Sequence, residues 1–287
     1  MKKLITTLFL VFGLSSEAYA ESLLPKCQGD DYRQWTNCYG EMKFPRIKYK
    51  GEWKDGKFEG KGTLTEAWGG VYTGDFVNNL AHGFGKQVEL DGSWWEGEVA
   101  NDYLVKGKYV NSEGTIFTGT FNKWLLEGPG TIEYADGSKY VGNFKKDLLH
   151  GQGTMEYADG GKYVGEWKED YYHGKGRREY ADGGYYDGEF DMDYYNGQGT
   201  KVYQKGDKYE GKWKKDYKHG QGTYEWSDGA KYIGQWKNDM KDGQATEINF
   251  HGDKFVGTFL NDWRVKGTLT WANGNKYVGG FKLGRLS

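Results

Sequence analysis

Five histidines, two cysteines and a set of short glycine motifs are the residues of this chain whose types and spacing could do chemistry. Four histidines, His82, His150, His173 and His219, each stand directly before a Gly-x-Gly. Evenly placed imidazoles could share a metal ion or form a row that titrates near neutral pH. Gly-x-Gly is also the core of phosphate-cradling loops. The run Asp191-Met192-Asp193-Tyr194-Tyr195-Asn196-Gly197 has the opening carboxylates of a calcium loop. Cys27 and Cys38, the only cysteines, are separated by ten residues.

Most of these signals dissolve when counted. Gly-x-Gly recurs along nearly the whole chain, whereas a cofactor loop occurs once, between a strand and a helix, so here it reads as hairpin architecture. The calcium-like run lacks the bidentate Glu and falls out of register. The histidine position is filled elsewhere by Glu59, Glu127, Asn196 and Asp242. On successive units about 10 Å apart, neighbouring imidazoles cannot meet one ion through bonds near 2 Å. They read as polar turn residues, leaving a shallow row of groups that would respond to pH. No nucleophile elbow, His-Glu-x-x-His or kinase signature occurs, and carboxylates spread evenly instead of converging. The expectation is a protein that is not an enzyme, with no metal and no cofactor.

What positions all of these residues is an internal period. Aromatic-x-Gly triplets start at Tyr49, Tyr72, Trp95, Phe117, Tyr140, Tyr163, Tyr186, Tyr209, Tyr232, Phe255 and Tyr277, 23 residues apart with two steps of 22. We number these copies 1 to 11. The third position is always Gly, and the fifth is Trp or Phe, as in Trp53, Phe76, Phe144, Trp167, Trp213 and Trp236, broken once by Val99. Positions one, three and five therefore alternate with polar or β-branched neighbours, the period-two signature of a strand. Glycine inside a strand is destabilising unless something large needs its space, so the flanking rings or a ring from the next copy should lie above it. A polar link such as Lys168-Glu169-Asp170 leads to Gly-x-Gly-Thr, which starts the second strand. Asp136-Gly137, Asp159-Gly160 and Asp228-Gly229 then turn the chain into the next copy.

This pattern resembles the MORN repeat, whose signature runs Tyr-x-Gly-x-Trp, a polar stretch, Gly-x-Gly-Thr and a closing Gly, and the resemblance covers residues 49–287. It implies an all-β protein, an elongated antiparallel β-hairpin repeat array forming a single twisted sheet or an open groove, with ten copies and a terminal half copy. Leu24-Pro25-Lys26-Cys27 with Trp35-Thr36-Asn37-Cys38 is further similar to the opening of exported bacterial MORN proteins. Two copies depart from the signature with Val105-Lys106-Gly107 and Val265-Lys266-Gly267, predicting a hairpin one residue tighter, and Ala245 stands where a second Gly belongs. Because one hairpin cannot cover its own rings, the copies must stack, and stability should accumulate along the array. The last strand, from Tyr277, is left with an open edge blunted by Lys282 and Arg285.

The two ends bound the setting. Lys2 and Lys3, the apolar run Leu4 to Leu14 and Ala18-Tyr19-Ala20 read as a signal peptide over residues 1–20, cleaved after Ala20. Residues 21–48 form an N-terminal segment carrying a partial repeat, since Cys38-Tyr39-Gly40 precedes Gly60-Lys61-Gly62 by one period. In an oxidising compartment Cys27 and Cys38 are expected to form a disulfide. Export to the periplasm or the medium follows.

The net charge is −2, which gives no broad basic field and excludes nucleic acid as a partner. Three functions remain at this stage. One is a scaffold in the bacterial cell envelope, for a protein partner or for self-association. The second is membrane-lipid binding, which the resemblance implies, through local clusters such as Lys145-Lys146, Arg177-Arg178 and Lys212-Lys214-Lys215. The third is glycan or peptidoglycan binding on rings in a row. The groove or core aromatics are Trp53, Phe76, Phe144, Trp167, Trp213, Trp236, Tyr140, Tyr163, Tyr209 and Tyr232.

Overall fold

A computed structural model describes residues 22–282 and 285–286; the expected signal peptide lies outside the described residues. Among those residues the regular elements are all strands apart from one 3₁₀ turn at Tyr32–Gln34. From Cys38–Lys43 to Lys276–Lys282 each strand pairs antiparallel with the strands before and after it in sequence, an uninterrupted meander in one open sheet.

The copy beginning at Tyr163 shows the construction. Its first strand, Lys162–Lys168, turns through Glu169 and Asp170, whose φ angles of 52° and 71° make a two-residue type I′ turn. The second strand is Tyr171–Glu179. It thus begins three residues ahead of the Gly-x-Gly that was expected to open it, so the histidines lie in strands, not in the turns. Gly165 pairs with Gly176, but Glu166 pairs with His173, which leaves Gly174 and Lys175 as a bulge. Gly174 takes a left-handed φ of 56°, available to glycine without a steric penalty. At the far end Gly183 N–H bonds Tyr180 O at 3.0 Å, and Tyr180 N–H bonds Gly184 O at 2.9 Å, a longer turn than the first.

The bulge explains the shorter copies. In copy 3 Glu98 pairs with Lys106 and Val99 with Leu104, so one residue is extra where the longer copies have two. Copy 10 does the same between Thr258↔Lys266 and Phe259↔Arg264. The missing residue comes out of the bulge; the expectation of a tighter hairpin misplaced it.

Successive copies are clamped at the type I′ edge. Asp170 N–H donates to Leu149 O at 3.2 Å while its Oδ1 accepts Leu149 N–H at 2.8 Å. The same reciprocal pair recurs at Asp193 with Tyr172, Asp216 with Tyr195, Asp239 with Lys218 and Asp262 with Lys241.

The two ends of the array differ. Cys27 and Cys38 form a disulfide, and the segment it holds places Trp35 edge-on to Trp53 at 5.0 Å, covering the first copy. At the other end Lys276–Lys282 pairs with the two residues Arg285–Leu286, so the edge expected to be open is partly covered.

Candidate functional site

The inner face carries the rings, and a single sheet can bury them because the line of bulges bends every second strand. The resulting trough brings opposite ends of strands together: the Tyr157 and Tyr172 hydroxyls hydrogen-bond, as do those of Tyr180 and Tyr195. Inside, the first-position tyrosine lies across the two glycines of its own copy in copies 1, 2 and 5 to 8. A Cβ on Gly165 or Gly176 would fall 2.5 or 2.4 Å from the Tyr163 hydroxyl oxygen. That hydroxyl donates to Glu166 O at 2.8 Å. The next copy closes the stack, with Phe190 edge-on to Tyr163 at 5.4 Å and Trp167 edge-on to Tyr140 at 5.3 Å.

All ten aromatics singled out in the sequence are therefore core. Tyr140, Tyr163, Tyr209 and Tyr232 are 0 % exposed, and Trp53, Phe76, Phe144, Trp167, Trp213 and Trp236 are 1 to 5 % exposed. None offers a free face to a sugar. Burial pushes the Tyr140 phenol up to about 12 and raises Tyr163, Tyr209 and Tyr232 as well. The histidines stay apart, one per copy; among the described residues no group of three or more His, Cys, Asp or Glu is placed to hold a metal.

What distinguishes one part of the trough from another is the residue paired with the fifth position, a ring in every copy but the third. It is Ala81, Leu104, Leu126 and Leu149 in copies 2 to 5, then Tyr172 and Tyr195, then Lys218, Lys241 and Arg264. Arg178 and Lys201 add two more cations in the neighbouring row, beside Tyr186. The backbone barely changes while its lining passes from aliphatic to cationic.

Partners differ among these cations. Glu247 accepts from Arg264 at 2.6 and 3.0 Å and pairs with Lys241; burial alone would raise its carboxyl, but these contacts hold it below the usual carboxylate range. Lys218 reaches Asp239 at 3.9 Å. Among the described residues no carboxylate approaches Arg178 or Lys201 within ion-pair distance. The Arg178 guanidinium lies 3.8 Å over the Tyr157 ring, with its Nη1 buried and unpaired. Lys201 sits 4.6 Å over Tyr195, and desolvation pulls its pKa down despite Asp216 nearby. Both cations line a cavity of about 480 Å³ together with Tyr172, Tyr180, Asp193 and Asp216. Sequence reasoning grouped Arg177 with Arg178, but strand alternation sends Arg177 to the outer face, where Glu179 and Asp187 pair with it at 2.8 and 3.4 Å.

The family model of the MORN repeat matches residues 49–71, 72–88, 117–139, 140–162, 163–185, 186–208, 209–231, 232–248 and 255–276, most of the chain. The chain belongs to the MORN-repeat family. The copy starting at Trp95 is not matched, although Trp94–Ala100 and Tyr103–Val110 form the same hairpin; it is the copy with Val99 at the fifth position. Among curated proteins, the ALS2 C-terminal-like protein of Bos taurus is 34% identical over 107 residues, 34% of this chain and 11% of that protein. Alsin of Homo sapiens is 32% identical over 107 residues, 33% of this chain and 6% of that protein. The shared region is thus about a tenth or less of these relatives' length. Among solved structures, the SAS-4 TCP domain of Drosophila melanogaster, in complex with a proline-rich motif of Ana2, aligns with 75% of this chain and 97% of its own, at 12% identity and a TM-score of 0.31. The TCP10 domain of Danio rerio CPAP gives 11% identity and a TM-score of 0.30, over 83% of this chain and 97% of its own. At such scores these two likenesses carry no argument.

Proposed function

We propose that this chain is a non-enzymatic scaffold of the bacterial cell envelope that holds a protein partner along its trough, after export and removal of residues 1–20. The carrying observation is the change of lining on a constant backbone: Leu126 and Leu149 give way to Tyr172, Tyr195, Lys218 and Lys241. Packing alone is satisfied by leucine there, so cations held over rings at these positions, with Arg178 and Lys201 beside them lacking a carboxylate within ion-pair distance, fit a surface meant for recognition. Family membership supports a repeat-based interaction module. The Cys27–Cys38 disulfide supports an oxidising compartment. The glycan reading loses its rings to the core, and the lipid reading loses its Arg177-Arg178 cluster to strand alternation.

The test is a photo-crosslinking amino acid placed at Tyr180, inside the trough, or at Val164 on the outer face, in the producing cell. A protein adduct from position 180 is expected. Adducts from position 164 alone, or from neither, would refute the trough as the contact surface. Export is checked separately by the N-terminal sequence of the protein recovered outside the cytosol, which should begin at Glu21.

A further inference from the structure

The outer face is not uniform. Where Leu80–Val88, Trp94–Ala100, Tyr103–Val110 and Ile116–Asn122 run side by side, it holds a concavity of about 510 Å³, within the range of about 300–1,000 Å³ typical of small-ligand sites. Gly97, Gly107 and Gly119 line it. The strands approach closely there: a Cβ on Gly97 would fall 2.2 Å from Lys106 O, and one on Gly107 would fall 2.3 Å from Glu96 O, so no side chain fills the hollow from below.

Two aromatic residues line this concavity at positions that are polar in other copies. Phe84 stands in the middle of Gly-x-Gly, a place held by Gln152, Lys175, Gln198 and Gln221 in copies 5 to 8, and it is 48 % exposed. Trp94 stands directly before the first-position ring, where copies 5, 6, 8 and 9 carry Lys139, Lys162, Lys208 and Lys231. The Lys86 and Lys108 ammonium groups lie 4.5 and 5.3 Å from the centroid of the Trp94 ring. Glu98 is the cross-strand neighbour of both Phe84 and Lys106. Lys86 reaches Glu96 at 3.6 Å, but among the described residues neither Glu98 nor Lys106 is in an ion pair.

We propose that this concavity binds a neutral oligosaccharide of β-linked pyranoses, one sugar ring lying on Phe84 with its hydroxyls reaching Glu98 and Lys106. The inference goes beyond the trough, concerns the opposite face and does not depend on it; Phe84 and Trp94 are also distinct from the ten rings lost to the core. Three properties select the ligand. Trp94–Ala100 and Tyr103–Val110 are paired with strands on both sides, so a peptide finds no edge to extend and side chains must do the holding. An unpaired carboxylate beside an unpaired ammonium repels an ion of either sign at one of the two, whereas a sugar hydroxyl donates to the first and accepts from the second. Equatorial hydroxyls leave C–H groups on the faces of such a sugar, an apolar surface that an exposed ring matches.

Calorimetric and saturation-transfer NMR titration of the purified protein with cellotetraose and chitotetraose tests this, with tetragalacturonate as the anionic comparison. Binding of at least one neutral sugar is expected. Phe84→Gln and Trp94→Lys introduce residues that the array already carries at those positions, so circular dichroism should stay unchanged. Each should raise the Kd at least about tenfold, the worth of one ring's burial. Glu98→Gln, which still hydrogen-bonds, should bind more tightly than Glu98→Ala. Absence of binding by both neutral sugars would overturn the proposal, as would binding that survives both ring variants, since the sugar would then lie elsewhere. Preference for the galacturonate would overturn the assignment of a neutral ligand. A photo-crosslinking amino acid at Lys106 that captures a protein in the producing cell, with no sugar bound by the purified chain, would give this face to a protein instead.

Discussion

Gly176→Ala probes the packing on which the whole array depends. A Cβ at this position would lie 2.4 Å from the Tyr163 hydroxyl oxygen and 2.6 Å from Cζ, so the ring must move. It has nowhere to go: Tyr172 is stacked on it at 3.9 Å, and Trp167 and Phe190 stand edge-on at 5.1 and 5.4 Å. Overpacking of this kind costs about 1–3 kcal/mol, and displacing the hydroxyl from Glu166 O adds about 1 kcal/mol, for a total of about 2–4 kcal/mol. The chain contains its own control. In copy 9 Ala245 occupies the equivalent place, and Tyr232 is backed there by Lys241, whose Nζ lies 5.1 Å from the ring and whose stem can yield. Gly176→Ala should therefore cost at least about 1 kcal/mol less when Tyr172→Lys is present, a coupling that a double-mutant cycle reads directly. Repeat arrays need not unfold in one step, so the assay is hydrogen exchange of the amides in Lys162–Lys168 and Tyr171–Glu179. Unchanged protection in Gly176→Ala, or an equal loss in both backgrounds, would refute the reasoning.

Asp170→Ala should destabilise the junction between copies 5 and 6 by about 1–2 kcal/mol, because it orphans Leu149 N–H and puts alanine at a φ of 71°. Asp170→Asn should keep most of that stability, and thermal melts of the two variants compare them. Reducing the Cys27–Cys38 disulfide should cost roughly 3 kcal/mol locally, loosening the cap over Trp53; a red shift of tryptophan emission under dithiothreitol, absent in Trp35→Phe, reports it. Alkali should unfold the array through its buried phenols. Tyr140 and Tyr203 are pushed up to about 12, while an unfolded tyrosine titrates near 10. Unfolded chains thus release protons first, and the stability these groups supply is intact below about pH 10 and falls as pH rises through 12. Tyrosinate absorbance should accordingly rise together with loss of the β-sheet dichroism signal; ionisation of most tyrosines in a still-folded protein would contradict their burial.

Much of the fold was legible because the period is written in residues with few alternatives. Aromatic-x-Gly-x-aromatic alternates faces, and Glu169-Asp170 and Asp182-Gly183 sit where the two kinds of turn occur. The second strand was misread by three residues, and the histidines with it, because Leu148-Leu149-His150 has no glycine or alternation to mark it as strand. The bulge was invisible for a related reason. Gly174 and Lys175 are ordinary in composition, and only their ladder to Glu166 shows that two residues are unpaired. For the candidate site, the ten rings were visible but their availability was not, since a fifth-position Trp reads the same whether it lines a groove or fills a core.

By itself, then, the sequence determined the repeating hairpin, its length, its two faces and the need for neighbours, because side-chain alternation and turn chemistry are local properties. Only the tertiary structure decided which of those faces is open. The bulges fold the sheet into a trough, the first-position tyrosines drop onto the glycines of their own copies, as Tyr163 does onto Gly165 and Gly176, and the fifth-position rings are buried with them. That leaves the cations Arg178 and Lys201 lining the trough and Tyr194 and Tyr217 half exposed on the outer face. Burial depends on how strands bend and meet across 15 or more residues, and no short window of sequence carries that information.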